Sequence, residues 1–266
     1  MPRLVELDRD HPGFRDPGYR ERRDAIAEAA LNHRGGPPPQ INYTQEENRV
    51  WSEIWTHLAP LHQRFAPAGY RSLCSRLGFE EGRIPQMRDI NERLLPATGF
   101  QMQPVAGLIE ASEFLTQLGG GVFLATQYVR HPSTPLYTPE PDVVHEVVGH
   151  AASFLHPGIA DLNRMLGRAA QGAPEPILTQ IERVYWWTME FGALIEDGHP
   201  RAFGAGLLSS FGEIRRLEEG ANLLDFDVEA MASRDYDPTD YQPVIFVASC
   251  WEEFDGKLRE WLGGRA

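Results

Sequence analysis

Apolar residues recur at helical spacing along most of this chain, whereas alternating apolar and polar residues are confined to short stretches. The helical pattern is clearest after Thr44, which together with Glu47 has the spacing of a capping box at a helix N-terminus. Because apolar residues three and four apart lie on one face of a helix, the segment that follows predicts an amphipathic helix. Its apolar face is formed by Val50, Trp51, Ile54, Trp55 and Leu58.

The remainder of the chain is predicted to be mostly helical, with a few short strands. Helices are predicted at residues 70–77, 87–95, 111–118, 141–155 and 184–195, and at the C-terminus up to Leu262. Strands are predicted at residues 122–128, 224–228 and 243–247. We therefore expect a mostly α fold with minor short β-strands, in which residues 42–266 form a single domain. Residues 1–41 are polar and rich in Pro, Gly and Arg, and they predict an irregular N-terminal arm that wraps the domain or stays mobile.

Composition and charge narrow the class of protein. The 266 residues, of which 42% are hydrophobic, suffice for one large domain or two small ones with a sizeable core. A net charge of −13 repels phosphate backbones, so we expect no nucleic-acid partner. No apolar stretch approaches the ~20 residues of a membrane span, and the N-terminus carries charges where a signal peptide is apolar. Because two cysteines make no disulfide framework, we expect a soluble, reduced, cytoplasmic protein.

The first candidate chemistry lies in the segment PDVVHEVVGH, residues 141–150. Pro141 suits the first turn of a helix, where its missing N–H costs nothing. His145 and His150 are five residues apart, so on a regular α-helix their side chains point ~140° away from each other. Both imidazoles reach one ion only if the helix is distorted, by a π-bulge or by a break at Gly149. The spacing differs from that of the zinc proteases, and two ordinary histidines remain an alternative.

The second candidate lies in VYWWTMEFGALI, residues 184–195, in which Glu190 is the one charged residue. The segment is apolar on nearly every side, which is typical of a buried helix. A buried carboxylate needs a cation, a hydrogen-bond network or a proton, so a salt bridge to an arginine or a neutral carboxyl competes with a metal-ligand role. Two histidines and one carboxylate form the facial triad of non-haem Fe(II) oxygenases. The same donors also bind zinc, and spacing does not choose between the two metals.

Three long segments, TQYVRHPSTPLYTPEPDVVHEVVGH, IERVYWWTMEFG and FGAGLLSSFGE, together closely resemble the pterin-dependent aromatic amino acid hydroxylases. The similarity runs from about Tyr43 to the C-terminus and implies a single hydroxylase catalytic domain. It implies that His145, His150 and Glu190 bind Fe(II), and that the partners are a tetrahydropterin, O2 and a free aromatic amino acid. A monomer is expected, because the chain has no room for the regulatory and tetramerisation segments of animal members.

The resemblance assigns a further group of residues to the amino acid substrate. Arg130 matches an arginine that holds the substrate carboxylate, a task that suits the guanidinium fork, and Asp142 would orient it. The positions that match contacts to the backbone end of the substrate are Thr138 and Ser209. The positions that match the walls of the aromatic pocket are Pro141, Trp186 and Phe191.

The segment VAGLIEASEFL matches the pterin site of the family. Phe114 matches an aromatic ring that stacks on the pterin. Glu146 matches a glutamate near the pterin and the iron, although a solvated helix position remains an alternative for it, and Tyr185 matches a tyrosine just beyond the metal ligands. The backbone groups that approach the heterocycle belong to Gly107, Leu108 and Ile109.

Several positions depart from the usual pattern of the family. Ala151 and Ala152 replace the Val-Pro pair that commonly follows the second histidine, which would enlarge or reshape the site. Leu124 stands where many members have a histidine on the pterin side, and Pro238 lies near a position linked to substrate preference. Trp186 is typical of the phenylalanine and tyrosine hydroxylases, so we favour hydroxylation of phenylalanine at the para carbon to give tyrosine. Meta-hydroxylation, or hydroxylation of tryptophan or tyrosine, remains open, because pocket changes of ~1–3 kcal/mol switch such preferences.

Two other classes of protein remain alternatives. A zinc hydrolase would use the same three ligands with Glu146 as general base, and it would bind zinc without taking up oxygen in the presence of a pterin. A non-catalytic binding protein would keep the fold and hydroxylate no aromatic amino acid. The intact set of three ligands, together with Arg130, argues against the second alternative.

Overall fold

Helices account for most of the residues in the computed structural model, which describes residues 7–265. The α-helices are α1 Pro17–Leu31, α2 Gln45–Phe65, α3 Ala68–Leu77, α4 Met87–Thr98, α5 Ala111–Gly119, α6 Ala152–Phe154, α7 Pro157–Ala170, α8 Glu175–Tyr185, α9 Ala205–Ser209, α10 Phe211–Arg215, α11 Val228–Ala232 and α12 Trp251–Gly263. The first π-helix spans His145–Ala151 and the second spans Trp186–Glu190. The prediction of a mostly α fold is therefore confirmed.

The strands form two small sheets. They are β1 Gln101–Pro104, β2 Val122–Ala125, β3 Ala193–Glu196, β4 His199–Ala202, β5 Asn222–Asp225 and β6 Val244–Ala248. Strands β1 and β2 pair in parallel, and the second sheet has the order β4-β3-β6-β5, in which only β3 and β4 are antiparallel. The strands predicted at residues 122–128 and 224–228 end earlier than expected, at Ala125 and Asp225. The β3–β6 pairing holds the chain just after Glu190 against the C-terminal part of the domain.

The helix predicted after Thr44 is α2, and its capping box is confirmed. The Thr44 hydroxyl accepts a hydrogen bond from the backbone N–H of Glu47 at 3.1 Å, and the Glu47 carboxylate accepts one from the backbone N–H of Thr44 at 2.6 Å. Most of the predicted apolar face is buried in the main core, against which Trp55 packs with part of its ring. The capping box and the apolar stripe thus both act where the sequence places them.

The prediction of a helix at residues 184–195 was wrong for the second half of that segment. Helical structure ends at Glu190, and residues 193–196 form strand β3, which returns as β4 through a tight turn. Asp197 and Gly198 form this turn with φ angles of 53° and 75°, as is typical of a two-residue hairpin. The Asp-Gly pair was a hairpin signal that the apolar run before it obscured.

The irregular arm predicted for residues 1–41 was wrong over Pro17–Leu31, which forms α1. Residues 1–6 of the predicted arm, like residue 266, lie outside the described residues. Asp16 caps α1 by accepting a hydrogen bond from the backbone N–H of Tyr19 at 3.0 Å. The helix has no pronounced apolar stripe, because a charged residue, Arg23, occupies part of its buried face. The boundary between arm and domain at residue 41 stays a prediction.

Helix α1 fastens the loop that connects β2 to the first π-helix. The Tyr19 hydroxyl donates to the carbonyl of Val129 at 3.0 Å. The Arg23 guanidinium lies 3.5 Å from the centre of the Tyr128 ring and forms an ion pair with Glu140. Because these contacts hold the loop near both of its ends, α1 limits the positions that the loop residues between them can take.

None of the helices within residues 7–265 is long and apolar enough to cross a membrane.

We expect Arg23→Ala to lower the free energy of unfolding by about 3 kcal/mol, because it leaves the Glu140 carboxylate with His11 as its remaining ion-pair partner and uncovers the Tyr128 ring. Urea unfolding followed by circular dichroism measures the change. The matched control is Arg22→Ala, which removes a half-exposed ion pair to Glu47 and should cost less than about 1 kcal/mol. Equal losses in the two variants would contradict a special role for Arg23.

Candidate metal centre

The first π-helix explains how two histidines five residues apart can lie on the same face of a helix. In a π-helix, hydrogen bonds join residues five apart, so His145 and His150 lie on one face. The predicted distortion of this helix is therefore confirmed, and it extends over the whole segment rather than breaking at Gly149. Gly149 instead allows close packing, because a Cβ there would lie 2.8 Å from the backbone oxygen of Ala205.

The second π-helix brings Glu190 to the same point. The Nε2 atoms of His145 and His150 are 3.1 Å apart. The Glu190 carboxylate lies 3.0 Å from Nε2 of His150 and 3.5 Å from Nε2 of His145. Two donor atoms bound at about 2.1 Å to one ion, at angles between a right angle and the tetrahedral angle, lie about 3.0–3.4 Å apart. The three side chains therefore have the spacing of ligands to a single metal ion, and among the described residues they form the one such group of three.

Ser209 orients His145 for this task. The Ser209 hydroxyl donates its proton to the carbonyl of Ala205 at 2.7 Å, so towards His145 it acts as acceptor. Nδ1 of His145 lies 3.0 Å from the Ser209 oxygen and carries the proton. The lone pair on Nε2 then faces His150 and Glu190, which is the tautomer that a metal ligand needs. Ser209 was predicted to touch the substrate, and the structure adds this support of His145 to that prediction.

The electrostatics of the three groups suit a divalent cation. Burial lowers the pKa of His145 to about 4, so its imidazole is neutral at physiological pH. Burial opposes ionisation of Glu190, but the adjacent His150 and His145 outweigh it and hold the pKa of the carboxyl below its ordinary value. The neutral imidazole of His145 and the ionised carboxylate of Glu190 need no proton loss before they bind a metal. The partners of Glu190 in the described structure are these histidines, not the arginine that competed with a metal in the sequence analysis.

Arg130 and Asp142 form a buried pair beside the centre. The Asp142 carboxylate accepts hydrogen bonds from Nε and Nη2 of Arg130, at 2.9 and 2.8 Å, and from its backbone N–H at 2.9 Å. Arg130 is 4% exposed and Asp142 is completely buried. Asp142 also accepts a bond from the backbone N–H of His145, 3.2 Å away. One carboxylate therefore fixes the guanidinium and the start of the metal-binding helix together, as the expected orientation of Arg130 by Asp142 requires.

Trp186 is the centre of a group of three aromatic rings, the aromatic wall, which includes the predicted pocket residue Phe191. The Trp186 ring lies 4.8 Å from that of Phe191, and it stacks on Tyr236 at 4.2 Å. Pro238 is exposed in the turn that follows Tyr236, and Thr138 and Pro141 are half-buried in the loop after Arg130. The indole N–H of Trp186 donates to the side chain of Gln242 at 3.0 Å. Tyr236 and Gln242 were not predicted as site residues, because no local pattern in the sequence marks them.

The predicted pterin residue Phe114 is linked to the histidines through one ring, because Phe123 contacts both Phe114 and His150. The Phe114 ring meets that of Tyr185 edge to face at 5.4 Å. Tyr185 is buried, its hydroxyl has no hydrogen-bond partner within the described part of the chain, and burial together with the nearby Glu190 raises its pKa well above the ordinary value. The loop between β1 and α5 holds Gly107, Leu108 and Ile109, and Leu108 is 74% exposed. The exposed Leu108 and the half-buried ring of Phe114 each leave apolar surface available to a ligand.

Glu146 is not a solvated helix residue, so that alternative was wrong. Its carboxylate is buried and accepts two hydrogen bonds from Thr126, from the backbone N–H and from the hydroxyl, each at 3.0 Å. Burial raises the pKa of Glu146 to about 7.

Among the departures from the family pattern, Ala151 and Ala152 are completely buried, and Leu124 lies half-buried on β2. The two alanines therefore contribute to the core behind the first π-helix.

Comparison with known proteins agrees with this arrangement. Residues 4–264 match the family model of the biopterin-dependent aromatic amino acid hydroxylases. The chain is 41% identical over 261 residues to human phenylalanine-4-hydroxylase, covering 96% of this chain and 58% of the human protein. It is 42% identical over 253 residues to the protein henna of Drosophila melanogaster, covering 93% of this chain and 56% of the fly protein. The chain thus spans somewhat more than half the length of these relatives.

The fold has counterparts among solved structures. Phenylalanine hydroxylase from Chromobacterium violaceum, determined with bound iron(III) and the oxidised cofactor 7,8-dihydrobiopterin, superimposes with a TM-score of 0.80 at 27% identity. The match covers 89% of this chain and 90% of the Chromobacterium protein. The apo structure of the cold-active phenylalanine hydroxylase from Colwellia psychrerythraea matches with a TM-score of 0.78 at 26% identity, covering 86% of this chain and 87% of that protein. Because the family model matches nearly the whole length of the chain, the protein belongs to the biopterin-dependent aromatic amino acid hydroxylases.

Proposed function

We propose that this protein is a tetrahydropterin- and O2-dependent non-haem iron monooxygenase that hydroxylates free L-phenylalanine to L-tyrosine. The observation that carries the proposal is the convergence of His145, His150 and Glu190 on one point with donor spacings of 3.0–3.5 Å. Two relatives add to it: one is named phenylalanine-4-hydroxylase, and a structural neighbour binds iron and dihydrobiopterin. Family membership argues for iron and against the zinc-hydrolase alternative.

The donor set fits a ferrous ion, because two imidazoles and one carboxylate fill one face of an octahedron and leave three positions for other ligands. Iron bound there, with a reduced pterin beside it, would supply the activation of O2 that hydroxylation of an aromatic ring requires. Every other task falls to the protein. Its side chains hold the amino acid and the pterin in place and exclude bulk water from the centre.

Arg130 would hold the carboxylate of the amino acid. Asp142 takes the Nε–H and one Nη2–H, and the carbonyl of Pro135 takes one Nη1–H. Of the five N–H groups of a guanidinium, one on each Nη atom then remains for a ligand. Such a pair of parallel donors matches the two oxygens of a carboxylate. Because Asp142 also contacts the backbone of His145, the anchored end of the substrate is held in a fixed relation to the metal-binding helix.

The aromatic wall would hold the side chain of the substrate. The ring centres of Phe191 and Tyr236 each lie within 5 Å of that of Trp186, and aromatic pairs of this kind prefer offset or edge-to-face geometry. A phenyl ring entering this wall meets apolar carbon on most sides. Phe114 would stack on the pterin, with Gly107, Leu108 and Ile109 along its edge. Glu146 and Tyr185 would then lie between the pterin and the ligands.

The test is incubation with ferrous iron, tetrahydropterin and phenylalanine, tyrosine or tryptophan, each alone. Mass spectrometry should detect the gain of one oxygen atom most rapidly with phenylalanine, and NMR should locate the new hydroxyl at the para carbon. Omission of the pterin is the control and should abolish both product formation and oxygen uptake. Meta-tyrosine as product would overturn the regiochemistry alone, a faster reaction with tryptophan or tyrosine would overturn the substrate, and no pterin-dependent oxygen uptake would overturn the function.

We also propose that the enzyme works in the cytoplasm as a monomer. The support for a reducing compartment is that Cys74 and Cys250 are both free, and buried Cys74 is apolar in its surroundings. The acidic net charge of −13 makes nucleic acid an unsuitable partner. Light scattering coupled to size exclusion tests the monomer, and a mass near twice 30.0 kDa would refute it.

A further inference from the structure

Gln242 is a buried amide between two parts of the aromatic wall. Its side-chain oxygen accepts a hydrogen bond from the indole N–H of Trp186 at 3.0 Å. Its side-chain nitrogen donates to the carbonyls of Asp237 and Asp240, at 2.7 and 2.9 Å. Only 1% of Gln242 is exposed, so water cannot replace these partners. One side chain therefore joins the indole to both ends of the turn that carries Pro238.

The backbone of Gln242 is held as firmly as its side chain. Its N–H donates to the buried carboxylate of Glu213 at 2.9 Å, and its carbonyl accepts from the Arg216 guanidinium at 3.2 Å. Glu213 and Arg216 lie on and just after α10, at the end of the segment that also supplies Ser209. Both polar atoms of the side chain and both of the backbone thus have partners, which fixes the position of the amide relative to α10.

The Trp186 indole contacts the segment before the turn through the Tyr236 ring, and neighbouring residues of the same two segments are joined by a hydrogen bond from the Trp187 indole to the carbonyl of Arg234 and by the Arg183–Asp235 ion pair. Tyr236 stacks on Trp186 at 4.2 Å, and Asp237 stabilises the turn locally by accepting a bond from the backbone N–H of Thr239 at 2.8 Å. Ring stacking permits sliding, whereas hydrogen bonds at three points do not. Without the amide, the indole N–H and two carbonyls would lose their partner, and each would seek another by moving.

We propose that Gln242 is a positioning residue for the aromatic substrate, which fixes the Trp186 indole against the turn bearing Pro238 and so determines how the substrate ring lies in the pocket. The proposal rests on the proposed function. Gln242 need not touch the substrate, because it acts through its hydrogen bonds to the Trp186 indole and to the turn. It predicts that specificity and the position of hydroxylation depend on a residue behind the wall.

The experiment compares Gln242→Leu with Gln86→Leu. Gln86 is also buried and also bridges backbone groups, those of Ile41, at 2.9 and 3.0 Å, but it lies at the start of α4 outside the wall. Leucine keeps most of the volume of glutamine and removes the hydrogen bonds in both variants. We expect Gln242→Leu to raise KM for phenylalanine about tenfold, the loss corresponding to about one well-formed buried hydrogen bond, and to yield a mixture of ring positions. Gln86→Leu should change thermal stability without altering KM or product distribution.

A second pair of variants tests whether Gln242 acts through the indole. Trp186→Phe removes the N–H donor of the same hydrogen bond. The loss of kcat/KM in the double variant should therefore be smaller than the product of the losses in Trp186→Phe and Gln242→Leu. Iron content is measured in every variant and should match the parent protein. If Gln242→Leu loses stability with unchanged KM and a single product, Gln242 is merely structural and the proposal fails. If the parent protein itself hydroxylates no aromatic amino acid, the proposed function fails, and that result is separate from any difference between variants.

Discussion

Replacement of Glu190 by alanine is expected to give a folded protein that retains little iron and turns over at least about a hundredfold more slowly. Residues that only support a metal ligand cost up to about a hundredfold in activity when replaced, and loss of the ligand itself should cost at least as much. His145 and His150 remain in place, but imidazoles bind a metal in their neutral form and so cannot balance the charge of a divalent cation in a buried site. The fold should survive, because loss of a buried carboxylate also removes the cost of burying its charge.

Three measurements on Glu190→Ala separate metal binding from folding. Metal analysis after dialysis against ferrous iron gives the iron content, circular dichroism gives the thermal midpoint, and an oxygen electrode gives pterin-dependent turnover. The matched control is Glu182→Ala on α8, which changes a partly buried glutamate on the helix that leads into the same π-helix. The control should keep its iron and its turnover. Stoichiometric iron in Glu190→Ala, with full activity, would show that the carboxylate is not a ligand.

The three candidate ligands were recognisable from the sequence, but the geometry that unites them was not. A lone charge in an apolar segment marks Glu190, and two histidines in an apolar segment mark the other two positions. A spacing of five is wrong for an α-helix, so the sequence required a distortion without supplying its form. A π-helix is defined by hydrogen bonds between residues five apart, such as the one from the Phe191 N–H to the Trp186 carbonyl. These bonds depend on the surrounding packing and leave no periodic pattern in the sequence.

Amphipathic helices were predicted well, and helix α1 was not. In α2 the apolar residues repeat every three or four positions, and Thr44 and Glu47 mark the start. In α1 the buried face includes Arg23, whose charge is offset by Glu140 more than a hundred positions along the chain. No local window contains that partner. A polar, arginine-rich segment was therefore taken for an irregular arm, although it forms a helix that fastens the loop of Arg130.

The support of the site depends on contacts between distant parts of the chain. Ser209 beneath His145, Thr126 beneath Glu146 and Gln242 behind Trp186 are ordinary polar residues whose role depends on their partners. Resemblance to the hydroxylases assigns ligand contacts to residues that lie in continuous motifs. It assigned no supporting role to Ser209, Thr126 or Gln242, since these roles depend on partners as many as 64 positions away. Sequence thus predicts the chemistry of this centre better than its mechanical support.

Replacement of Arg130 by alanine is expected to raise KM for phenylalanine by about a hundredfold, since a charge-assisted bidentate contact contributes about 3 kcal/mol. It should also lower stability, because Asp142 would be left as a completely buried carboxylate without its partner. Arg130→Lys keeps the positive charge beside Asp142 but lacks the planar fork. It should recover stability while leaving most of the rise in KM, which separates carboxylate anchoring from folding.

Phenethylamine, which is phenylalanine without its carboxylate, decides whether Arg130 anchors that group. The parent protein should turn over phenethylamine poorly, at a rate that changes little in Arg130→Ala, because the contact removed by the substitution is one that this substrate never makes. If Arg130→Ala instead lost the same factor with both substrates, the arginine would support the loop and the anchor would lie elsewhere. A preserved rate with phenethylamine would also show that the histidines keep their arrangement without Arg130, although Asp142 bonds to the backbone N–H of His145. The defect would then be confined to the backbone end of the substrate, as expected if Arg130 binds the carboxylate while the Trp186 wall binds the ring.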